Sequence, residues 1–159
     1  MIFRLNIIPG IGLGDIKFGM TRARILEMLG PADSTEIVDY LKEDDDTTES
    51  WNYKRLGIEL NFCSYENFLL TWIDVQSGAY LLYGTPLIGE SMDGLLKFLD
   101  SREVAYTTED VYPIDVRDWK LIRVDIWAMD FHVKDGEVAD IEWGPLWKDE
   151  NTQIWPELD

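Results

Sequence analysis

The chain has 159 residues, and 31 Asp and Glu against 14 Lys and Arg give it a formal net charge of −17. This charge repels nucleic-acid backbones and anionic lipids, so neither nucleic acid nor a membrane is an expected partner. No apolar run approaches the roughly 18 residues of a membrane span, and no signal-peptide pattern opens the chain, which indicates a cytoplasmic protein. A hydrophobic share of 46% argues against disorder.

The first half of the chain alternates short strands with one short helix. An apolar strand is predicted over 2–8, followed by a glycine-rich loop. Thr21 is a good helix N-cap, and Gly30 followed by Pro31 predicts the helix end. Further strands are predicted over 36–41, 51–53, 58–62 and 70–75, with a polar turn over 42–50 and a hairpin connection over 54–57.

The second half presents the same order of elements. A strand over 79–83 precedes a helix capped by Ser91, and a candidate strand covers 104–112. The segment 120–133 alternates throughout, but its apolar parity changes, which suggests a bulge or bend near Ala128. Asp135-Gly136 is a type I′ turn signal before a return strand over 137–143, and the tail shows no period.

This matched order predicts an internal repeat. Gly19 before the first helix corresponds to Gly89 before the second, at an offset of 70 residues. Residues 57–62 align with 128–133 at an offset of 71. We therefore predict an α+β fold, an antiparallel sheet with short helices packed on one face. Its divisions are a first repeat over 1–78, a second over 79–144 sharing one continuous sheet, and a C-terminal tail over 145–159.

One segment carries a family resemblance. Residues 9–21 (PGIGLGDIKFGMT), continuing through the short helix to Leu29-Gly30-Pro31, resemble the opening of bacterial domains related to β-lactamase inhibitory protein and the small outer-membrane assembly lipoproteins. The resemblance implies helices on one face of an antiparallel sheet, doubled when two copies fuse. It also implies binding to other proteins rather than catalysis. The chain lacks the lipobox cysteine of the lipoproteins and the paired cysteines of the inhibitor.

Few residues suit catalysis or metal binding. His132 is the only histidine and Cys63 the only cysteine, so we expect a solvated strand histidine and an inert thiol. Zinc would need more such ligands, and Asp44–Asp46 with Glu49 lacks calcium-loop spacing. We predict no enzyme, no cofactor and no metal. A carboxylate-based hydrolase or a metal-dependent enzyme remains an alternative, because many acids create many pairs.

Seven tryptophans are the most unusual feature, since tryptophan is enriched at binding hot spots. Core packing is the other interpretation, expected for Trp72 and favoured for Trp127. The sequence predicts a protein-binding module of the immunity or inhibitor type acting on a basic protein, as monomer or homodimer; a homo-oligomeric module using the tail is an alternative. Residues 81–159 carry a net charge of −11 against −6 for 1–80, which favours the second half. The candidate partner surface is Trp119, Asp125, Trp127, Asp130, His132, Asp140, Glu142, Trp143 and Trp147.

Overall fold

A computed structural model describes residues 5–38, 46–110 and 119–158. These residues form mainly antiparallel sheet with two short helices, which confirms the α+β class. The described elements in chain order are β1 (Asn6–Ile8), β2 (Gly12–Leu13), β3 (Ile16–Lys17), α1 (Arg22–Leu29), β4 (Ser34–Val38), β5 (Thr48–Tyr53), β6 (Ile58–Cys63), β7 (Leu69–Val75), β8 (Leu81–Leu82), β9 (Thr85–Pro86), α2 (Met92–Ser101), β10 (Thr107–Asp110), β11 (Trp119–Val124), β12 (Met129–Lys134), β13 (Glu137–Trp143), β14 (Leu146–Asp149) and β15 (Thr152–Ile154).

The helix boundaries follow the capping residues. The Thr21 hydroxyl accepts a hydrogen bond from the Arg24 N–H at 3.1 Å, and the Ser91 hydroxyl accepts from the Gly94 N–H at the same distance. Gly30 ends α1 at a φ of 77°, and its N–H donates to the Leu26 carbonyl. The predicted caps and the end of α1 are therefore confirmed. Helices this short depend on packing for stability.

The large sheet joins two four-stranded meanders. Strands β4 to β7 pair in sequence, and so do β10 to β13. Strand β7 then pairs antiparallel with β13, which gives an eight-stranded order of β10-β11-β12-β13-β7-β6-β5-β4 within the described residues. The β7–β13 seam consequently lies at the centre of the sheet, and β4 and β10 form its edges.

Two smaller sheets lie outside this large one. In the first of these, β1 pairs with both β2 and β8. The β2–β3 and β8–β9 hairpins complete a five-stranded sheet of order β3-β2-β1-β8-β9. The tail, predicted to be without regular structure, forms the β14–β15 hairpin instead. It folds back onto its own chain, because Lys17 donates to the Glu157 carbonyl at 3.2 Å and half-buried Trp155 lies beside Gly19.

Three sequence predictions need correction along the strands. The alternating segment 120–133 is not one strand but the β11–β12 hairpin, because a 3₁₀ turn at Asp125–Trp127 leads to Ala128 at a φ of 49°. The polar turn over 42–50 stops earlier, since β5 begins at Thr48. Strand β8 covers only two of the residues predicted over 79–83. The predicted Asp135-Gly136 turn is confirmed, and residues 2–4, 39–41 and 111–112 lie outside the described ranges.

Alternation along the strands gives the sheet two different faces. Ile58, Leu60 and Phe62 of β6 join one core with the buried residues of both helices, namely Ile25, Leu95 and Leu99. We call the opposite surface the open face, since no described helix contributes to its packing. It contains Ser50, Asn52, Glu59, Asn61, Trp72, Asp74, Trp119, Leu121, Arg123, Asp130, His132, Asp140 and Glu142.

Candidate functional site

Four carboxyl groups line up across the centre of the open face. The register pairs Glu59 with Asp74, Asp74 with Glu142, and Glu142 with Asp130, so the four occupy directly opposed positions on β6, β7, β13 and β12. Opposed residues on neighbouring strands have Cβ atoms about 5 Å apart, and like charges there destabilise the sheet. We call these four residues the acidic row.

The two ends of the acidic row differ. At one end Arg123 lies opposite Asp130 and donates to its two oxygens at 3.0 and 3.3 Å. At the other end the uncharged Asn52 lies opposite Glu59. Among the described residues, neither Glu59 nor Asp74 nor Glu142 forms an ion pair. Within the described ranges, three of the four carboxyl groups are therefore without an ion-pair partner.

Beside the row, each half of the open face has one further polar pair. In the second half, His132 Nδ1 lies 2.5 Å from the Asp140 carboxylate. In the first half, the fully buried amide of Asn61 is satisfied when its nitrogen donates to Glu59 at 3.1 Å and its oxygen accepts from the Trp72 indole at 2.8 Å. These bonds fix Trp72 beside the acidic row.

Burial and mutual repulsion keep protons on the middle of the row. Burial is the first cause raising the pKa of Asp74 to about 8, and the charges of Asp140 and Glu142 add to it. Burial also raises the pKa of Glu142 to about 7, although His132 opposes this rise. The pKa of Glu59 is raised as well, again mainly by burial. A cation brought to this place would favour the ionised carboxylates and release their protons.

A cavity of about 470 Å³ opens over this part of the sheet, which we call the row cavity. Its lining combines three carboxyl groups of the row with aromatic and small side chains. This volume lies within the range of about 300–1,000 Å³ typical of ligand pockets. The lining residues are Asp46, Thr48, Glu59, Cys63, Tyr65, Trp72, Asp74 and Glu142.

Five of the nine predicted surface residues share the open face. Asp130, His132, Asp140 and Glu142 lie there half-buried, in and beside the acidic row. Trp119 is the fifth, with its ring centroid 6.2 Å from that of His132 and the Lys134 ammonium 5.6 Å from its own centroid. The structure therefore brings these five predicted residues together on one face.

The remaining four lie elsewhere. Trp143 and Trp127 belong to the buried core, which corrects their predicted place on a surface. Both side chains point to the same side of the sheet as the apolar residues that the helices cover. Asp125 and Trp147 are exposed and line a separate groove of about 610 Å³ with Asp130. Trp72, expected in the core, is instead half-buried on the open face.

Sequence reasoning missed the first-half residues of the site. Alternation of Glu59 and Asn61 with apolar neighbours did place them on a polar face. What it lacked was the pairing of β7 with β13, which brings Asp74 against Glu142. A pairing between distant strands leaves no local pattern in either of them, so the acidic row had no sequence signal of its own.

Other comparisons add no further assignment. No group of three or more His, Cys, Asp or Glu able to hold a metal ion occurs in the described ranges. No helix in that part of the chain is long and apolar enough to cross a membrane.

Asp44 and Asp45 of the acidic turn lie outside the described residues, while Glu49 is bound by Arg22 and Trp51. No family model, curated protein or solved structure matches the chain.

Proposed function

We propose that the protein is a cytoplasmic protein-binding module of the immunity or inhibitor type, which takes a basic partner protein onto its open face. The single observation that carries this proposal is the acidic row, where Glu59, Asp74 and Glu142 meet without an ion pair to any described residue. Such repulsion destabilises the isolated protein. Cationic side chains of a partner remove the repulsion, so its relief adds to the free energy of binding.

We further propose that the two halves are tandem copies, sharing the sheet through the β7–β13 seam. The support is positional: α1 and α2 each precede a four-stranded meander. At the offset of 71 Glu59 corresponds to Asp130, and at an offset of 68, which aligns 72–75 with 140–143, Asp74 corresponds to Glu142. The acidic row would then be one carboxyl pair presented twice across a seam between copies, consistent with the resemblance to inhibitor-like domains.

Calorimetry with a deca-lysine peptide as a generic basic ligand tests the proposed function. We expect the triple variant E59Q/D74N/E142Q to bind at least about ten-fold more weakly than the wild type, equivalent to about 1.4 kcal/mol. A matched control is D93N/D100N/E103Q, which removes three exposed carboxylates on and just after α2, away from the open face. Equal losses in the two variants would show that net charge alone attracts the peptide and would overturn the proposal.

A carboxylate-based hydrolase is the second candidate. The observation that favours it is the pair of opposed carboxyls with unequal raised pKa values, about 8 for Asp74 and about 7 for Glu142. In such a pair the protonated Asp74 acts as general acid and the ionised Glu142 as general base. Hydrolysis of a panel of chromogenic glycosides and esters, with a bell-shaped pH profile lost in D74N, would support it. No turnover above the D74N background would exclude those substrates.

A further inference from the structure

The row cavity differs chemically from the rest of the open face. It places an indole, a phenol and four carboxyl groups around one volume, contributed by Trp72, Tyr65, Asp46, Glu59, Asp74 and Glu142. At the second-half end of the row, the groove of about 610 Å³ that Asp130 lines also contains Arg123, which already binds the Asp130 carboxylate. In the row cavity, a cation of a partner would therefore meet carboxyl groups that no cation of the described residues already binds.

We propose that the row cavity seats a single arginine side chain of the basic partner, with its guanidinium between the Asp74 and Glu142 carboxylates and beside the Trp72 indole. This inference rests on the proposed function and specifies its anchor. Charge complementarity selects a cation, since each titratable group lining the described cavity besides Cys63 and Tyr65 is an acid. The shape of the lining selects among cations.

Guanidinium fits this lining better than ammonium does. A planar guanidinium carries donors that match two carboxylates in fixed directions, and its face packs on an aromatic ring. An ammonium is a compact, strongly hydrated charge without a planar face to stack on the indole. The indole is already positioned for this contact, since its N–H is held by Asn61 at 2.8 Å. Preorganised contacts of this kind reduce the entropy lost on binding.

The structure already contains the same chemistry inside one chain. Arg123 binds the Asp130 carboxylate through two nitrogens in the second half of the row, opposite Asp130 on the next strand. In the first half the corresponding strand position holds Asn52, which carries no charge and so forms no ion pair with Glu59. An arginine from a partner would supply to the first half what Arg123 supplies to the second.

The test uses three small compounds on the full chain: N-acetyl-arginine amide, N-acetyl-lysine amide and the uncharged N-acetyl-citrulline amide. The readout is the indole N–H signal of Trp72 in nitrogen–proton spectra, assigned with W72F. We expect a saturable shift with the arginine compound, at least about three-fold weaker binding of the lysine compound, and none with the citrulline compound. In D74N the arginine compound should bind at least about five-fold more weakly, with D100N on α2 as the unchanged control.

The outcomes separate this inference from the proposed function. Equal shifts with the arginine and citrulline compounds, or an arginine-induced shift that spares Trp72, overturn the arginine seat. If the seat fails while the deca-lysine peptide still distinguishes E59Q/D74N/E142Q from its matched control, the basic-partner function stands without this anchor. If neither the compounds nor the peptide distinguishes the variants, then the seat and the proposed function are both overturned. Because D74N is conservative, its folding is verified by the dispersion of the same spectra.

Discussion

The two halves of the open face use the same strand positions in different ways. In the second half, Asp130 is held by Arg123 and Asp140 lies 2.5 Å from His132. In the first half, Glu59 lies opposite Asn52, and Asn61 hydrogen-bonds Trp72. The second half therefore pairs Asp130 and Asp140 with a basic side chain, whereas among the described residues Glu59 and Asp74 of the first half form no ion pair and line a cavity with Glu142.

This difference shows that net charge does not locate the carboxyl groups that lack an ion pair. Residues 81–159 carry the larger net charge of −11, and for that reason the sequence favoured the second half. On the open face, however, the second half supplies its own cations, and the row cavity draws seven of its eight lining residues from the first half. The relevant quantity is the number of carboxylates without a local partner, which only the strand register reveals.

The largest expected effect concerns the two central carboxyls. The pKa values of about 8 for Asp74 and about 7 for Glu142 lie above the ordinary value near 4 of an unfolded chain. At a pH between these values the folded state therefore binds more protons than the unfolded state. The stability that they contribute is complete below about pH 4 and is lost as pH rises through 7 to 8. We expect the wild type to lose about 3 kcal/mol between about pH 5 and about pH 9, after allowing for solvent screening.

The double variant D74N/E142Q tests this effect, since its amides do not titrate. Denaturant unfolding should show a much flatter pH dependence, with the variant more stable than the wild type by about 2 kcal/mol near pH 9. The control D93N/D100N should retain the slope of the wild type. An unchanged slope in D74N/E142Q would mean that the repulsion within the acidic row is absent.

A second prediction compares two positions that the proposed repeat aligns. At about pH 8, E59Q should stabilise the protein by about 0.5–1 kcal/mol, because it removes an unpaired carboxylate from a like-charged row. D130N should destabilise it by a similar amount of about 0.5–1 kcal/mol, because it breaks the bond pair with Arg123. Urea unfolding of the two variants measures both signs. Stabilisation in both would contradict the account of the second half as internally neutralised.

A third prediction transfers the internal cation. The substitution Asn52→Arg places an arginine opposite Glu59, as Arg123 stands opposite Asp130. We expect a stability gain of about 0.5 kcal/mol and binding of the deca-lysine peptide reduced about five-fold, because the row then carries its own cation. Asn52→Gln is the matched control for side-chain size without charge. Peptide binding that is reduced equally by both would point to obstruction of the face.

The smallest expected effect is on the His132 pair. The hydrogen bond with Asp140 is the first cause raising the His132 pKa above 6.5, against the lowering effect of burial. Glu142 and Asp74 add to the rise. The stabilising effect of the pair is complete below about pH 6.5 and is lost as pH rises through the folded pKa. Proton NMR of this single histidine should show the raised pKa, and D140N should lower it; a pKa unchanged by D140N would exclude Asp140 as the cause.

Local patterns predicted most elements but not the site. The caps at Thr21 and Ser91, the turn at Asp135-Gly136 and the alternation around Leu60 each depend on a few neighbouring residues, so the sequence shows them directly. The sequence predicts the β11–β12 hairpin as one strand with a bend, because polar and apolar residues still alternate through the turn at Asp125–Trp127. Trp143 was assigned to a surface on residue type, although its parity with Ile141 marks it as core.

The acidic row depends on contacts that no local pattern encodes. Asp74 and Glu142 are separated by most of one half of the chain, and their opposition follows from the β7–β13 register alone. The same holds for the row cavity, which combines a turn residue, Tyr65, with side chains from four strands. Charge and tryptophan content are the sequence features behind the proposed class of partner. The proposed place on the molecule has no such sequence feature, because it depends on which acids find a cation within the fold.

The most direct test of the central claim is the number of protons exchanged when a basic ligand binds the open face. Calorimetry of a deca-arginine peptide near pH 7.5, in two buffers of different ionisation enthalpy, measures this number. Cations at the acidic row should lower the pKa values of Asp74 and Glu142. We therefore expect release of about one proton per complex in the wild type and no such release in D74N/E142Q. Binding without proton release, or with equal release in D74N/E142Q, would contradict it.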